Sequence, residues 1–234
     1  MIQREEYLSQ LLTWKDEKVI KVVTGIRRCG KSTLLEQFQQ VLLKNGVDSS
    51  QIISINFEEL EYERLLDYRK LYSFLKERIN SEQKNYIFLD EIQRVNSYEK
   101  VVDSLYIKDN IDIYITGSNS YMLSGDLATF LTGRYIEIKM LPLSFKEFCD
   151  VTNDYSDKSF SEYLNIGSLP YIVNLDKNKE KINTYLEGIY NTVIIKDVEE
   201  RQSRKEKDPT KRKVSDIPLL KSIAKFLASV IGSP

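Results

Sequence analysis

The sequence predicts an α/β protein: a mostly parallel five-stranded sheet between helices, followed by an α-helical lobe. Three observations carry this. Up to about residue 140, short β-rich runs alternate with helical patterns, a rhythm that needs crossover helices and therefore parallel strands. The strand signal stops at Pro142, and only helical patterns follow. Between the first strand and the first long helix stands the glycine-bracketed stretch "GIRRCGKST", residues 25–33.

Bulk composition narrows the chemistry. At 234 residues the chain can bury a large core, with or without a smaller lobe. Its 34 basic and 35 acidic residues nearly cancel, so no global field draws it to nucleic acid or an anionic membrane. Histidine is absent, which removes Ser-His-Asp and Cys-His catalysis and imidazole-dependent zinc sites. Cys29 and Cys149 cannot form a disulfide framework, which fits a reducing compartment. "MIQREEYLSQ" is charged, and no run nears the roughly 18 apolar residues of a membrane span. The expectation is a soluble, cytoplasmic protein without a membrane partner.

Each element has its own signal. Tyr7, Leu8, Leu11 and Leu12 recur at helical spacing, with Trp14 close behind, predicting a short N-terminal helix within residues 1–15. A core spanning 16–143 follows, with strands at 18–25, 51–57, 85–91, 111–118 and 134–140. Its helices are the one carrying Leu34, Leu35, Phe38, Val41 and Leu42, then "RKLYSFLKERI", "SYEKVVDSLYI" and a short one near 125–132. The lobe, 144–234, reads as helices around 145–152, 159–166, 178–201 and 216–231. Its stretch 201–216 is polar, carries a proline and predicts an exposed connection.

The chemistry concentrates in two motifs. Gly25, Gly30, Lys31 and Ser32 satisfy G-x-x-x-x-G-K-[ST] directly after a strand and before a helix, the context a phosphate-binding loop requires. In such a loop, glycines let successive N–H groups face the phosphates, the lysine adds a point charge, and the serine hydroxyl ligates Mg²⁺. Ile26, Arg27, Arg28, Cys29 and Thr33 complete the candidate binding stretch. Arg27 and Arg28 stand at variable loop positions that can equally face solvent. Cys29, at a helix N-terminus beside Lys31, is either an oxidisable thiol of lowered pKa or a spacer, and the spacer is preferred. The second motif is "YIFLDEIQ", which ends a buried strand in Asp90 and Glu91. Behind a phosphate loop, Asp90 is expected to hold Mg²⁺ through water and Glu91 to act as general base.

With these motifs the chain looks like a P-loop ATPase of the AAA+ class. It resembles the prokaryotic AAA+-like ATPases that read "GIRRxGKS", "DEIQ", "TGSxS" and "LTGRYIEI…LPLSFKEF", here "GIRRCGKS", "DEIQ", "TGSNS" and "LTGRYIEIKMLPLSFKEF". The resemblance implies Mg²⁺-dependent ATP binding and hydrolysis coupled to motion between core and lid. It also implies a polar sensor for the γ-phosphate at Ser118 or Asn119, residues that a plain turn would equally use. Arg134 would be an arginine finger reaching a neighbour's nucleotide, so a homo-oligomer, or else an exposed arginine starting a strand or capping a helix. Gly167 and Pro170 resemble a lid element that touches nucleotide, though such a pair is commonly only a loop, and Ser168 stands where the family often has a second glycine. Family members usually continue into a further C-terminal domain, so one is expected after "FLASVIGSP". The basic stretch 201–213 reads as a solvated linker; a protein or nucleic-acid partner is left open. A second class of function fits the same residues: a slow nucleotide-gated switch that reports its state to a partner.

Overall fold

Every residue of the first strand, β1 (Ile20–Gly25), is buried, which is possible only for a strand covered on both faces and paired on both edges. The computed structural model gives it that place. It describes residues 2–118, 131, 133–175, 178–205 and 217–230. Five strands, β1, β2 (Ile52–Asn56), β3 (Asn85–Asp90), β4 (Ile111–Ser118) and β5 (Tyr135–Met140), form one sheet in the order β2-β3-β4-β1-β5. All of its pairings are parallel.

The period-two alternation of the strands sorts side chains between two clusters. Ile20 and Val22 of β1, Ile87 and Leu89 of β3 and Ile113 and Ile115 of β4 share one cluster with α3 (Tyr68–Arg78) and α4 (Tyr98–Tyr106). Val23, Phe88, Tyr114 and Ile138 share the other with α1 (Glu5–Thr13) and α2 (Lys31–Lys44), through Leu11, Leu34, Phe38 and Leu42. There the rings of Phe88 and Tyr114 stack at 4.8 Å, with Phe38 5.1 Å from Tyr114. Large aromatic surfaces buried this way contribute much of a core's stabilisation. Helices α5 (Phe145–Thr152) and α6 (Asp157–Ile166) follow β5, and they belong with the sheet to a unit spanning Met1–Asn174. A second unit, Leu175–Pro234, contains α7 (Lys179–Lys205) and α8 (Ile217–Val230), where Lys221 donates to Asn191 Oδ1 at 2.6 Å.

All five expected strands are present, with local corrections. The third ends at Asp90 rather than at 91, because Glu91 takes a left-handed backbone, φ 55°. α7 runs to Lys205, five residues into the stretch expected as a connection, because "RQSRK" is polar but lacks a helix breaker. A seven-residue 3₁₀ segment, Leu60–Leu66, had no clear signal. The short helix expected near 125–132 lies almost wholly outside the described residues. Among the described residues, no helix is long and apolar enough to cross a membrane.

A charged network lies beneath the N-terminal end of β1. Lys21 is fully buried and pairs with buried Asp112 of β4, while also donating to Glu17 O at 2.9 Å. The second Asp112 oxygen accepts from Tyr114 Oη at 2.8 Å and from Asp16 N at 2.9 Å. Burial lowers the Lys21 pKa, and the Asp112 charge opposes that shift. Removing one partner of such a pair strands the other charge, so Lys21→Met is expected to cost about 3–5 kcal/mol in urea unfolding. Adding Asp112→Asn, whose carbonyl can still accept from Tyr114 and Asp16, should recover much of the loss. Equal stability of Lys21→Met and wild type would contradict this.

Candidate functional site

Parallel strands end together, so the C-terminal edge of the sheet gathers the residues that follow β1, β3, β4 and β5. β1 delivers Gly25 there, in register with Ser118 of β4 on one side and Met140 of β5 on the other. A Cβ on Gly25 would stand 2.4 Å from the Met140 carbonyl oxygen and 2.8 Å from Cys29 Sγ, so only glycine fits. Gly30, at φ 102°, caps α2 in a conformation glycine adopts freely and turns the loop into the helix. Lys31 then opens the helix with its side chain only 5% exposed. Its ammonium folds back over the loop, donating to Gly25 O at 3.3 Å and Ile26 O at 3.4 Å. Ser32 and Thr33 follow in the first turn, half-buried, while Ile26 and Arg28 are exposed and Arg27 is half-buried. Arg28 has a left-handed backbone, φ 65°. Cys29 is buried, and burial pushes its thiol pKa up against the pull of Lys31 and Arg4. That direction runs against the oxidisable low-pKa alternative.

The carboxylates arrive from β3. Asp90 ends the strand, buried, and its Oδ1 accepts from the hydroxyl of Thr116 on β4. The same hydroxyl accepts from Glu91 N at 2.9 Å, so one side chain fixes both the aspartate and the left-handed turn that re-aims the glutamate. Gln93 donates to Glu91 Oε2, and Glu91 Oε1 lies 3.8 Å from Lys31 Nζ. Burial pushes the Glu91 carboxyl above the usual range, opposed by the Lys31 charge and the Gln93 hydrogen bond. A phosphate-type cradle and an acidic pair thus meet at one edge of the sheet, bridged by Lys31.

Residues 17–149, more than half of the chain and including both motifs, match the AAA domain family. The chain belongs to the prokaryotic AAA+-like P-loop ATPases. An uncharacterized protein of Haemophilus influenzae is 41% identical over 99% of this AAA+-like chain and 56% of its own length. One from Methanocaldococcus jannaschii is 34% identical over 87% of this chain and 46% of its own. The chain therefore spans about half the length of the curated relatives it matches. Among solved structures, the Walker-type ATPase of Pyrococcus abyssi superposes with a TM-score of 0.53 at 19% identity, covering 88% of this chain and 77% of that one. Hsp104 bound to ATPγS and casein gives 0.52 at 14% identity, covering 74% and 37%. Both likenesses show the fold, a P-loop α/β sheet.

The remaining residues expected in the site of this AAA+-like chain are distributed unevenly. Pro170 Cγ lies 4.0 Å from where a Cβ on Gly30 would stand, so the Gly167–Pro170 segment does reach the loop. The Ser118 backbone is the neighbour of Gly25, and Asn119 lies outside the described residues. Arg134 stands at the other end of the sheet, where its carbonyl accepts from Ile20 N at 2.8 Å. Five residues of β1 separate that point from Gly25, roughly 17 Å of strand. Its guanidinium pairs with Asp103 of α4 and lies 5.4 Å from the Tyr106 ring centre. Three residues of this edge escaped the sequence. Thr116 and Gln93 stand inside motifs already quoted but carry no signal of their own, and Arg4 lies within a charged N-terminal run.

Proposed function

We propose that the chain binds ATP with Mg²⁺ and hydrolyses it. The observation that carries this reading is the Lys31 ammonium held between the carbonyls of the Gly25–Gly30 loop and the Glu91 carboxylate, 3.8 Å away. Its contacts with those two carbonyls are long, 3.3 and 3.4 Å, so a polyphosphate would be a stronger partner for the charge. The loop amides and the N-terminus of α2 would hold the β-phosphate. Ser32 and Asp90 offer hard oxygen donors suited to Mg²⁺, which binds through few protein ligands and several waters. When bound, the ion would neutralise charge that develops on the phosphates. Glu91 would take the proton of the attacking water, freed for that role as Lys31 turns to the phosphates. Ser118 or Asn119 would orient that water, and Pro170, beside Gly30, would couple the state of the loop to the helices that follow β5.

Lys31→Ala and Ser32→Ala test this reading. Both are expected to weaken Mg·ATP binding by about 100-fold or more while leaving the cooperative melt intact, since the core clusters are untouched. Calorimetric titration with unchanged affinity in both variants would sink it. A slow nucleotide-gated switch is the second reading, and one observation favours it: Arg134 is engaged by Asp103 of its own chain rather than extended for a neighbour.

A further inference from the structure

The motif "LPLSFKEF" and the N-terminal run around Arg4 have so far no role in the site, yet they meet behind it. Arg4 is 3% exposed, although it stands in a stretch of charged residues at the N-cap of α1, where its side chain makes no cap. Its guanidinium is instead shared three ways. Nη1 donates to Cys29 O at 3.1 Å, and Nη2 to Leu141 O at 2.8 Å and Pro142 O at 3.3 Å. Nε donates to Glu147 Oε1 at 2.6 Å. The plane packs over the Tyr7 ring at 4.8 Å, and the Tyr7 hydroxyl accepts from Leu141 N at 3.1 Å. Glu147 is itself fixed: its Oε2 accepts from Ser144 N at 2.8 Å, in a reciprocal capping box that starts α5.

We propose that Arg4 is a positioning residue for nucleotide, one that sets the direction of the Cys29–Gly30 peptide in the phosphate loop. The inference rests on the ATP reading above. A trans peptide is planar, with its C=O and N–H pointing in opposite senses. Holding Cys29 O from behind therefore turns Gly30 N–H the other way, toward the hollow of the loop, where it can donate to a phosphate oxygen. Buried Arg4 can hold this pose because its charge is balanced by Glu147 and its fork satisfies three carbonyls. The "LPLSFKEF" segment thereby serves as the anchor plate for the loop: it supplies two carbonyls and the counter-charge, while its Ser144 pins the glutamate.

Arg4→Lys tests the geometry while keeping the charge. A lysine can still pair with Glu147 but has no planar fork to hold Cys29 O as well. In the full chain, the expected result is a cooperative melt, at least tenfold weaker Mg·ATP binding by calorimetry, and a Gly30 amide resonance displaced before nucleotide is added. In wild type, that amide should move on adding Mg·ATP; in Arg4→Lys its movement should be much smaller. If the lysine variant does not fold, Arg4→Gln combined with Glu147→Gln removes both charges together, and the same two measurements apply. Wild-type affinity and a wild-type Gly30 resonance in a folded variant overturn the role of Arg4. Failure of the wild-type chain itself to bind Mg·ATP overturns the ATP reading, and this one with it.

Discussion

Glu91→Gln should bind Mg·ATP at least as tightly as wild type and hydrolyse it roughly 10² to 10⁴ times more slowly. The two side chains have nearly the same shape, so the amide leaves the loop backbone in place while releasing Lys31 from its ion pair. What disappears is the carboxylate whose oxygens lie against Gln93 and 3.8 Å from Lys31 Nζ. An amide cannot accept the proton of an attacking water. It also removes a negative charge beside the place proposed for the phosphates, so affinity has no reason to fall. Phosphate release at saturating ATP, measured beside calorimetric affinity, separates the two effects. Unaltered turnover would move the base elsewhere.

Arg134→Ala is expected to lower turnover by roughly 10³ to 10⁵ if assembly is otherwise intact, with little change in binding. The size of the effect follows from its proposed position outside its own pocket. Arg134 sits at the opposite end of β1 from Gly25, so it cannot serve the loop of its own chain. Its pair with Asp103 is exposed, at 44% and 42%, and exposed pairs open readily, so it would have to leave Asp103 to take the proposed role at a neighbour's loop. Specific activity should rise with protein concentration. Mixing inactive Arg134→Ala with inactive Glu91→Gln should restore some hydrolysis, since a mixed interface can join an intact arginine to an intact base. No recovery over a range of ratios, with subunit exchange confirmed, would leave Arg134 as a partner of α4 and favour the slow switch.

The strands and the phosphate loop were legible because their signals are local. "KVIKVVTG" is rich in β-branched residues and "NYIFLDE" carries a run of four apolar ones, and the glycines of the loop answer to backbone shape that Met140 and α2 impose. Asp90 and Glu91 were readable as a pair, but not the left-handed turn that parts them, because it depends on the Thr116 hydroxyl 26 residues from Asp90. Arg4 was illegible for the same reason on a larger scale. Its partners lie 25 to 143 residues away, and from its neighbours in sequence it reads as a solvated charge. Helix α7 was underestimated at its end because polar composition resembles a linker until a breaker appears.

The sheet order has a consequence for how a nucleotide-bound state would spread. Gly25 ends the one strand that is laddered along its length to both β4 and β5, and its register partners are the last residues of each, Ser118 and Met140. A shift of the loop cannot be absorbed by a free edge. It would divide between two branches, one leaving through β4 and the other through β5 to Leu141, Pro142 and α5. The same input would thus reach two outputs in step, without a hinge and without a chain of intermediates, much as a single lever moves two cables tied to its end.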